Sequence, residues 1–120
     1  MLREAPGIKK LVLRAGKTDM RFGMGKLAAM LQTDYGINPM EDGGLYLFSG
    51  SRKDTIKALT YDGDGFVVMT KRLATGTFQW PKDTSAALEI SRESYERLMD
   101  GYRIETVLTR HELAKYGFHL

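Results

Sequence analysis

Four short segments rich in β-forming residues lie between residues 45 and 81, and they constrain the fold more than any other feature of the chain. They are separated by the turn-forming stretches SRK, DGDG and TG, and they read LYLFSG at 45–50, DTIKALTY at 54–61, FVVMTKRLA at 66–74 and TFQWP at 77–81. Segments of this length joined by Gly- and Asp-containing turns are typical of antiparallel strands linked by hairpins. The sequence therefore predicts a β-meander.

A helical pattern comes directly before these segments. Apolar residues recur at three- and four-residue spacing over residues 20–31, which predicts an amphipathic helix. Thr18 or Asp19 is the predicted N-cap, because its side-chain oxygen can accept a hydrogen bond from a first-turn N–H. Gly36 is the predicted end of this helix.

The ends of the chain complete the predicted architecture. KKLVLRAG at 9–16 predicts a short strand, and RESYERLMDG at 92–101 predicts a short C-terminal helix with Ser91 as its N-cap and Gly101 as its stop. The predicted fold class is α+β, with an antiparallel β-meander sheet of about four to five strands packed by the two helices. All 120 residues are expected to form a single domain. Residues 101–120 either extend into a further helical turn or form a loosely attached C-terminal extension.

The composition excludes several classes of protein. The chain is 42% hydrophobic and 28% charged, a globular rather than a disordered balance. It has no cysteine, which excludes disulfides, thiolate zinc sites and a cysteine nucleophile. Charges interrupt the N-terminal apolar residues, and no run of about 18 apolar residues occurs. We therefore expect a cytoplasmic protein without a membrane partner.

The net charge of +3 is unevenly distributed along the chain. Residues 1–82 contain 13 basic and 8 acidic residues, whereas residues 83–120 contain 5 and 7. A basic first part of the chain is compatible with a polyanionic partner, although such a modest excess also describes an ordinary solvated surface.

The DGDG stretch at 62–65 resembles the start of a calcium loop, since Asp62 and Asp64 occupy its first and third positions. Positions 5 and 12 of such a loop would be Phe66 and Leu73, which cannot bind calcium. A carboxylate pair for nuclease chemistry is a second interpretation, but residues at a hairpin tip point into solvent. We favour a hairpin turn, because Asp and Gly tolerate its backbone dihedrals.

Other short motifs predict no catalytic, metal or cofactor site. GKT at 16–18 lacks the glycine that a P-loop needs five positions earlier. GMGKLA at 23–28 fits a dinucleotide fingerprint, but the predicted N-cap places Gly23 and Gly25 inside the helix, where we expect them to allow close packing on the sheet. His111 and His119 both lie in the last ten residues, far from any ordered pattern.

Basic and aromatic residues are interleaved on the predicted sheet. The basic residues are Lys57, Lys71 and Arg72, and the aromatic residues are Tyr61, Phe66, Phe78 and Trp80. Such interleaving suits nucleic-acid backbones and bases, but a solvated sheet face or a protein-contact surface gives the same pattern.

Several motifs in this order resemble a known family. They are TDMR at 18–21 after a strand, the DGDG hairpin at 62–65, KRL at 71–73 and the F-x-WP of residues 78–81. The chain resembles the small accessory protein, the TnpB-type product of the second open reading frame, of the bacterial insertion-sequence family numbered sixty-six. The residues that match the motifs of this family are Thr18, Asp19, Met20, Arg21, Asp62, Gly63, Asp64, Gly65, Lys71, Arg72, Leu73, Trp80 and Pro81.

The resemblance implies a protein encoded beside a larger DDE-type transposase, needed for efficient transposition and without an established enzymatic activity. Two hypotheses follow. In the first, a non-enzymatic accessory factor binds double-stranded DNA at the element ends through Arg21, Lys57, Lys71 and Arg72. In the second, an exposed aromatic and β-edge surface near Tyr61, Phe66 and Trp80 docks the transposase without contacting DNA.

Overall fold

The computed structural model describes residues 7–82 and 84–104, which form a five-stranded sheet with one helix on each face. The elements in chain order are β1 (Lys10–Arg14), α1 (Met24–Tyr35), β2 (Gly44–Ser49), β3 (Thr55–Tyr61), β4 (Phe66–Arg72), β5 (Ala87–Ile90) and α2 (Arg92–Met99). The strand order is β4-β3-β2-β1-β5. His111, His119 and most of the C-terminal extension lie outside the described residues. Within the described ranges, no helix is long and apolar enough to span a membrane.

The sheet is mixed, so the prediction of a purely antiparallel sheet is wrong. β1 runs parallel to β2, with Leu11 opposite Leu45, while the other neighbouring strands are antiparallel. Parallel neighbours need a long connection, and α1 lies in the connection that carries the chain from β1 to β2. Hairpin signals report only on strands adjacent in sequence, which is why they did not reveal the pairing of β1 with β2.

The predicted meander is present as β2, β3 and β4, which are joined by short connections. The DGDG stretch forms the hairpin turn between β3 and β4, which confirms the structural interpretation of this motif. The Asp62 N–H donates to the Gly65 carbonyl at 2.8 Å. Gly63 has a φ of +82°, which lies in the left-handed region that glycine adopts readily.

Valine should be tolerated much less well at position 63 than at position 65. Gly63 is among the glycines with positive φ and Gly65 is not, and a β-branched residue is poorly accommodated at positive φ. We expect Gly63→Val to lower the free energy of unfolding by about 1 kcal/mol or more, measured by urea or thermal unfolding. Gly65→Val is the matched control and should cost clearly less.

The two aspartates of the turn test whether it has any chemical role. Asparagine adopts the same turn dihedrals as aspartate but loses the charge, so Asp62→Asn and Asp64→Asn should leave both folding and transposition nearly intact. A folded asparagine variant that no longer supports transposition would contradict the structural interpretation.

α1 begins at Met24, later in the chain than the sequence predicts. Its N-cap is Gly23, and no side chain caps the helix. The carboxylate of Asp19 instead accepts hydrogen bonds from the backbone N–H and the guanidinium of Arg21. The prediction that Gly23 and Gly25 allow close packing on the sheet is also wrong, because a Cβ at either position would meet nothing within 4 Å.

The predicted ends of the helices are largely confirmed. Gly36 is the C-cap of α1 with a φ of +66°, and its N–H and that of the next residue close the last turn. Ser91 is the N-cap of α2, and its hydroxyl oxygen accepts a hydrogen bond from the Ser94 N–H at 3.0 Å. Gly101, with a φ of +87°, follows the last turn of α2.

Each face of the sheet carries its own apolar layer. On the first face, α1 packs through Leu27, Ala28 and Leu31 against strand residues Val12, Tyr46, Phe48, Leu59 and Ala87. On the second face, α2 packs through Tyr95, Leu98 and Met99 against strand residues Leu11, Leu13, Leu45, Leu47, Ile56, Ala58 and Leu88. Alternate residues of the central strands β1 and β2 therefore point into different layers, and both sides of these strands are buried.

The segment at 77–81 is not a strand, contrary to the prediction. Its side chains do alternate between buried and exposed, since Phe78 and Trp80 are buried in the α2 layer while Thr77 and Gln79 are exposed. Its backbone does not join the sheet, however, and bonds instead to the loops at the ends of β1 and β2. Period-two burial does not by itself show that a segment has a neighbouring strand.

Candidate nucleic-acid interface

The loops that follow β1 and β2 meet at one end of the sheet, where these two strands terminate. The two strands are parallel, so their carboxyl ends lie side by side. Residues 15–19 follow β1, and residues 50–54 follow β2. The Thr18 N–H donates to the Ser49 carbonyl at 2.7 Å, which joins the first loop to the end of β2.

The segment of residues 77–82 holds these loops from the other side. The Phe78 N–H donates to the Lys53 carbonyl at 2.7 Å. The Gly16 N–H donates to the Pro81 carbonyl at 2.8 Å. The indole Nε1–H of Trp80 donates to the Arg14 carbonyl at 2.9 Å. Three segments that are distant in sequence are thus fixed against one another.

Two features hold the loop after β1 in place: the contacts of Arg14 and the close approach of Gly50. Arg14 Nη1 donates to the Lys17 carbonyl at 2.6 Å and lies 3.2 Å from the hydroxyl of Thr18. A Cβ added at Gly50 would lie 2.3 Å from Cγ of Met20, so only glycine allows the two loops to approach so closely. The position of the Lys17 backbone is therefore determined by the fold.

Four cations line two adjoining hollows at this end of the sheet, and we call the combined feature the basic groove. The cations are Lys17, Lys53, Lys82 and Arg103. The larger hollow has a volume of about 380 Å³ and the smaller about 140 Å³, and both share Phe78 and Trp80 as an apolar floor. Among the residues described in the structure, no carboxylate lines either hollow.

The charges of the basic groove are not neutralised by ion pairs within the described part of the chain. Elsewhere the exposed cations often have acidic partners, as Lys9 has in Asp42 and Arg52 has in Asp54. None of the four groove cations forms such a pair with a described residue. Asp83, which follows Lys82 in sequence, lies outside the described residues. The basic groove is therefore a concentrated positive surface on a protein of modest net charge.

Arg21, the first sequence-predicted DNA contact, lies beside the basic groove but is paired. Its guanidinium forms a two-point interaction with the Asp19 carboxylate, at 3.0 and 2.8 Å. These hydrogen bonds lower the pKa of Asp19 to about 2 and raise the pKa of Arg21. Because the pair is charge-neutral near pH 7, Arg21 is a weaker candidate for phosphate binding than the groove cations.

Lys57, the second sequence-predicted contact, has a structural role. It is half-buried on the α1 face, and its ammonium donates to the carbonyls of Met20 and Phe22 at 2.6 and 3.2 Å. These two carbonyls belong to the connection between β1 and α1. Lys57 therefore fastens this connection to the sheet.

Replacing Lys57 with methionine should lower stability without weakening DNA binding. The variant keeps the apolar stem but leaves the two carbonyls without their donor, which we expect to cost about 1–3 kcal/mol of unfolding free energy. Lys9→Met is the control, because the Lys9 ammonium is exposed and its loss should change stability by less than about 0.5 kcal/mol. A stable Lys57→Met protein with reduced affinity for DNA would show instead that Lys57 contacts the nucleic acid.

Lys71 and Arg72 are not brought together with Lys57. Lys71 is opposite Ile56 and points to the α2 face, whereas Arg72 is opposite Thr55 and points to the other face. Arg72 also lies 3.5 Å from the Asp54 carboxylate, whose pKa is lowered to about 2 chiefly by Arg52. The sequence-predicted cluster of basic residues is therefore divided between the two faces of the sheet.

The predicted aromatic surface is only partly formed. Tyr61 and Phe66 pack edge to face beside the β3–β4 turn, with ring centroids 5.2 Å apart, and both are half-buried. Trp80 is only 7% exposed and belongs to the α2 layer, so the prediction that it contributes to an exposed surface is wrong. Its indole serves the fold through the hydrogen bond to Arg14.

Sequence reasoning missed the basic groove because its cations are isolated in the chain. Lys17, Lys53 and Lys82 each stand next to turn-forming residues, after Gly16, within SRK and after Pro81. Functional residues are often found on loops held by a rigid scaffold. Lysines in predicted loops, rather than those on predicted strands, were therefore the sequence feature that could have indicated the basic groove.

The fold and the groove define an α+β protein with a positively charged surface at the carboxyl ends of its two parallel strands. Comparison with protein families gives the more specific assignment. The family described as "IS66 Orf2 like protein" matches residues 9–109, most of the chain. The chain belongs to this family, as its motifs indicated, and is a transposition-associated accessory protein.

Two relatives from Sinorhizobium fredii align over most of their lengths. Uncharacterized protein y4hO is 37% identical over 89 residues, which cover 74% of this chain and 76% of y4hO. Uncharacterized protein y4jC is 28% identical over 92 residues, which cover 77% and 78% of the two chains. No solved structure matches the chain.

Proposed function

We propose that this protein is a non-enzymatic accessory factor of transposition that binds double-stranded DNA through the basic groove. The observation that carries the proposal is the set of four exposed cations, three of which (Lys17, Lys53 and Lys82) lie on mutually fixed segments, with no carboxylate among the described groove residues. Phosphate contacts supply most of the sequence-independent affinity of a protein for DNA. They also fix its position on the duplex.

The groove suits a nucleic-acid backbone better than a small metabolite. Pockets for small molecules are usually enclosed and largely apolar, with a few polar groups directed inward. Here Lys17, Lys53, Lys82 and Arg103 are all exposed at an open surface. Lysine binds phosphate as a point charge without strict geometry, which suits contacts to successive phosphates of a duplex.

A transposition assay tests the proposal in its biological setting. Lys53→Gln/Lys82→Gln removes two groove charges and should reduce transposition frequency at least about tenfold, because two phosphate contacts are lost. Lys9→Gln/Lys26→Gln removes the same charge from other surfaces and should leave the frequency nearly unchanged. Equal transposition by wild type and the folded groove variant would contradict the proposal.

Docking of the transposase without any DNA contact is the second candidate function. The exposed edge of β4 and the nearby pair of Tyr61 and Phe66 favour it, since sheet edges and aromatic groups are common docking elements. Purification of the element's proteins with and without nuclease separates the two candidates. A complex that disappears after nuclease treatment is held by DNA, whereas one that persists is held by protein contacts.

A further inference from the structure

Within the part of the chain that the structure describes, the edge strand β4 leaves a row of backbone groups without partners in the sheet. The Asp62–Gly65 hydrogen bond at one end of the hairpin and the Leu73–Asp54 hydrogen bond at the other fix the alternation of the ladder. Both place the N–H and C=O groups of residues 67, 69 and 71 toward β3. The backbone groups of Phe66, Val68, Thr70 and Arg72 therefore point away from the sheet.

This edge has few of the features that normally prevent pairing with another strand. β4 is seven residues long, pairs with β3 without a bulge and contains neither proline nor glycine. Its first five residues, FVVMT, are uncharged, and Val67 is 37% exposed. Exposed edges of this kind are protected in most proteins by charge, proline or a covering element. The other edge strand, β5, has only four residues and leads directly into α2.

We propose that β4 pairs with β4 of a second copy of this chain in an antiparallel, two-fold symmetric arrangement. Charge complementarity identifies this occupant. The strand is preceded by Asp62 and Asp64 and ends at Lys71 and Arg72. An antiparallel partner with the same sequence brings the acidic end of each copy beside the basic end of the other, which a two-fold interface satisfies twice.

The register follows from the outward-pointing residues. Pairing centred on Val68 sets Val68 opposite itself and Phe66 opposite Thr70 of the second copy, so three of the four outward-pointing residues exchange hydrogen bonds. The same register sets Asp64 opposite Arg72. One strand pair buries a small surface, so we expect a dimer whose population depends on protein concentration. This inference does not depend on DNA binding by the basic groove.

Sedimentation equilibrium over a range of protein concentrations tests the inference. The wild type should approach twice the monomer mass as concentration rises. Val68→Pro removes an outward N–H but no hydrogen bond to β3, and it should remain monomeric. Val68→Thr keeps the N–H and is the matched control, which should dimerise like the wild type.

Exchanging the charges of Asp64 and Arg72 tests the same dimer if the proline variant folds poorly. Asp64→Arg and Arg72→Asp should each weaken dimerisation at least about tenfold by placing like charges together, and the double exchange should restore it. A wild type that stays monomeric at every concentration would overturn the inference. This holds even if Val68→Pro abolishes capture of the transposase, because the edge of β4 would then bind the transposase and not a second copy of this chain. A dimer unaffected by Val68→Pro and by both reversals would also overturn it.

Discussion

Replacing Lys17, Lys53, Lys82 and Arg103 together with glutamine should weaken binding to duplex DNA by about three to four orders of magnitude at 0.1 M salt. Each phosphate contact releases about 0.9 of a condensed counterion, so four contacts give a slope of about −3.6 in log affinity against log salt concentration. Between 1 M and 0.1 M salt, this slope corresponds to roughly three to four orders of magnitude in affinity, which the variant should lose. The loss should be similar for different DNA sequences, because phosphate contacts carry no base information. Fluorescence anisotropy with a labelled duplex measures the affinity directly.

The control for this variant removes the same charge elsewhere. Lys9, Lys26, Lys71 and Arg97 lie outside the basic groove, and their joint replacement with glutamine should weaken binding far less. If the two fourfold variants lost affinity equally, net charge rather than a localised groove would explain binding. Circular dichroism of both variants would establish that they are folded.

Truncation of Trp80 should strongly destabilise the protein. Its side chain is 7% exposed, and its Nε1–H donates to the Arg14 carbonyl at 2.9 Å. Trp80→Ala removes the apolar contacts and that donor, and we expect it to cost about 3–5 kcal/mol. Because domains of this size are stable by only about 5–15 kcal/mol, Tm should fall by more than about 10 °C.

Two comparisons separate the structural role of Trp80 from a role in binding. Trp80→Phe keeps most of the packing but leaves the Arg14 carbonyl without its donor, so it should cost less than Trp80→Ala. Tyr102→Ala removes an aromatic side chain that is 59% exposed, and its effect should stay within about 0.5 kcal/mol. An unchanged Tm for Trp80→Ala with loss of partner binding would contradict the buried role.

The parts of the fold that local sequence determines were predictable. The DGDG turn needs only residues that tolerate hairpin dihedrals, and Ser91 caps α2 through a hydrogen bond to Ser94, three residues away. The parallel pairing of β1 with β2 was not predictable in this way. It joins residues more than 30 positions apart, such as Leu11 and Leu45, and depends on how α1 packs on the sheet.

The candidate site was harder to predict than the fold, because it is assembled from loops. Trp80 and Arg14 are 66 residues apart, and nothing in either segment shows that they are joined by a hydrogen bond. The basic residues on the strands have aromatic neighbours in sequence, and this pattern favoured them as candidate DNA contacts. In the fold, strand alternation places Lys71 and Arg72 on opposite faces of the sheet. Lysines from three separate loops instead lie together at the end of the sheet where β1 and β2 terminate.

The salt dependence of wild-type binding to DNA tests the central claim most directly. Affinity for a duplex carrying an element end should be measured from about 50 to 200 mM monovalent salt, a range in which counterion release dominates. Four phosphate contacts predict a slope of about −3.6 in a plot of log affinity against log salt concentration. A flat response, or no detectable binding at the lowest salt concentration, would contradict the assignment of the basic groove as a DNA-binding surface.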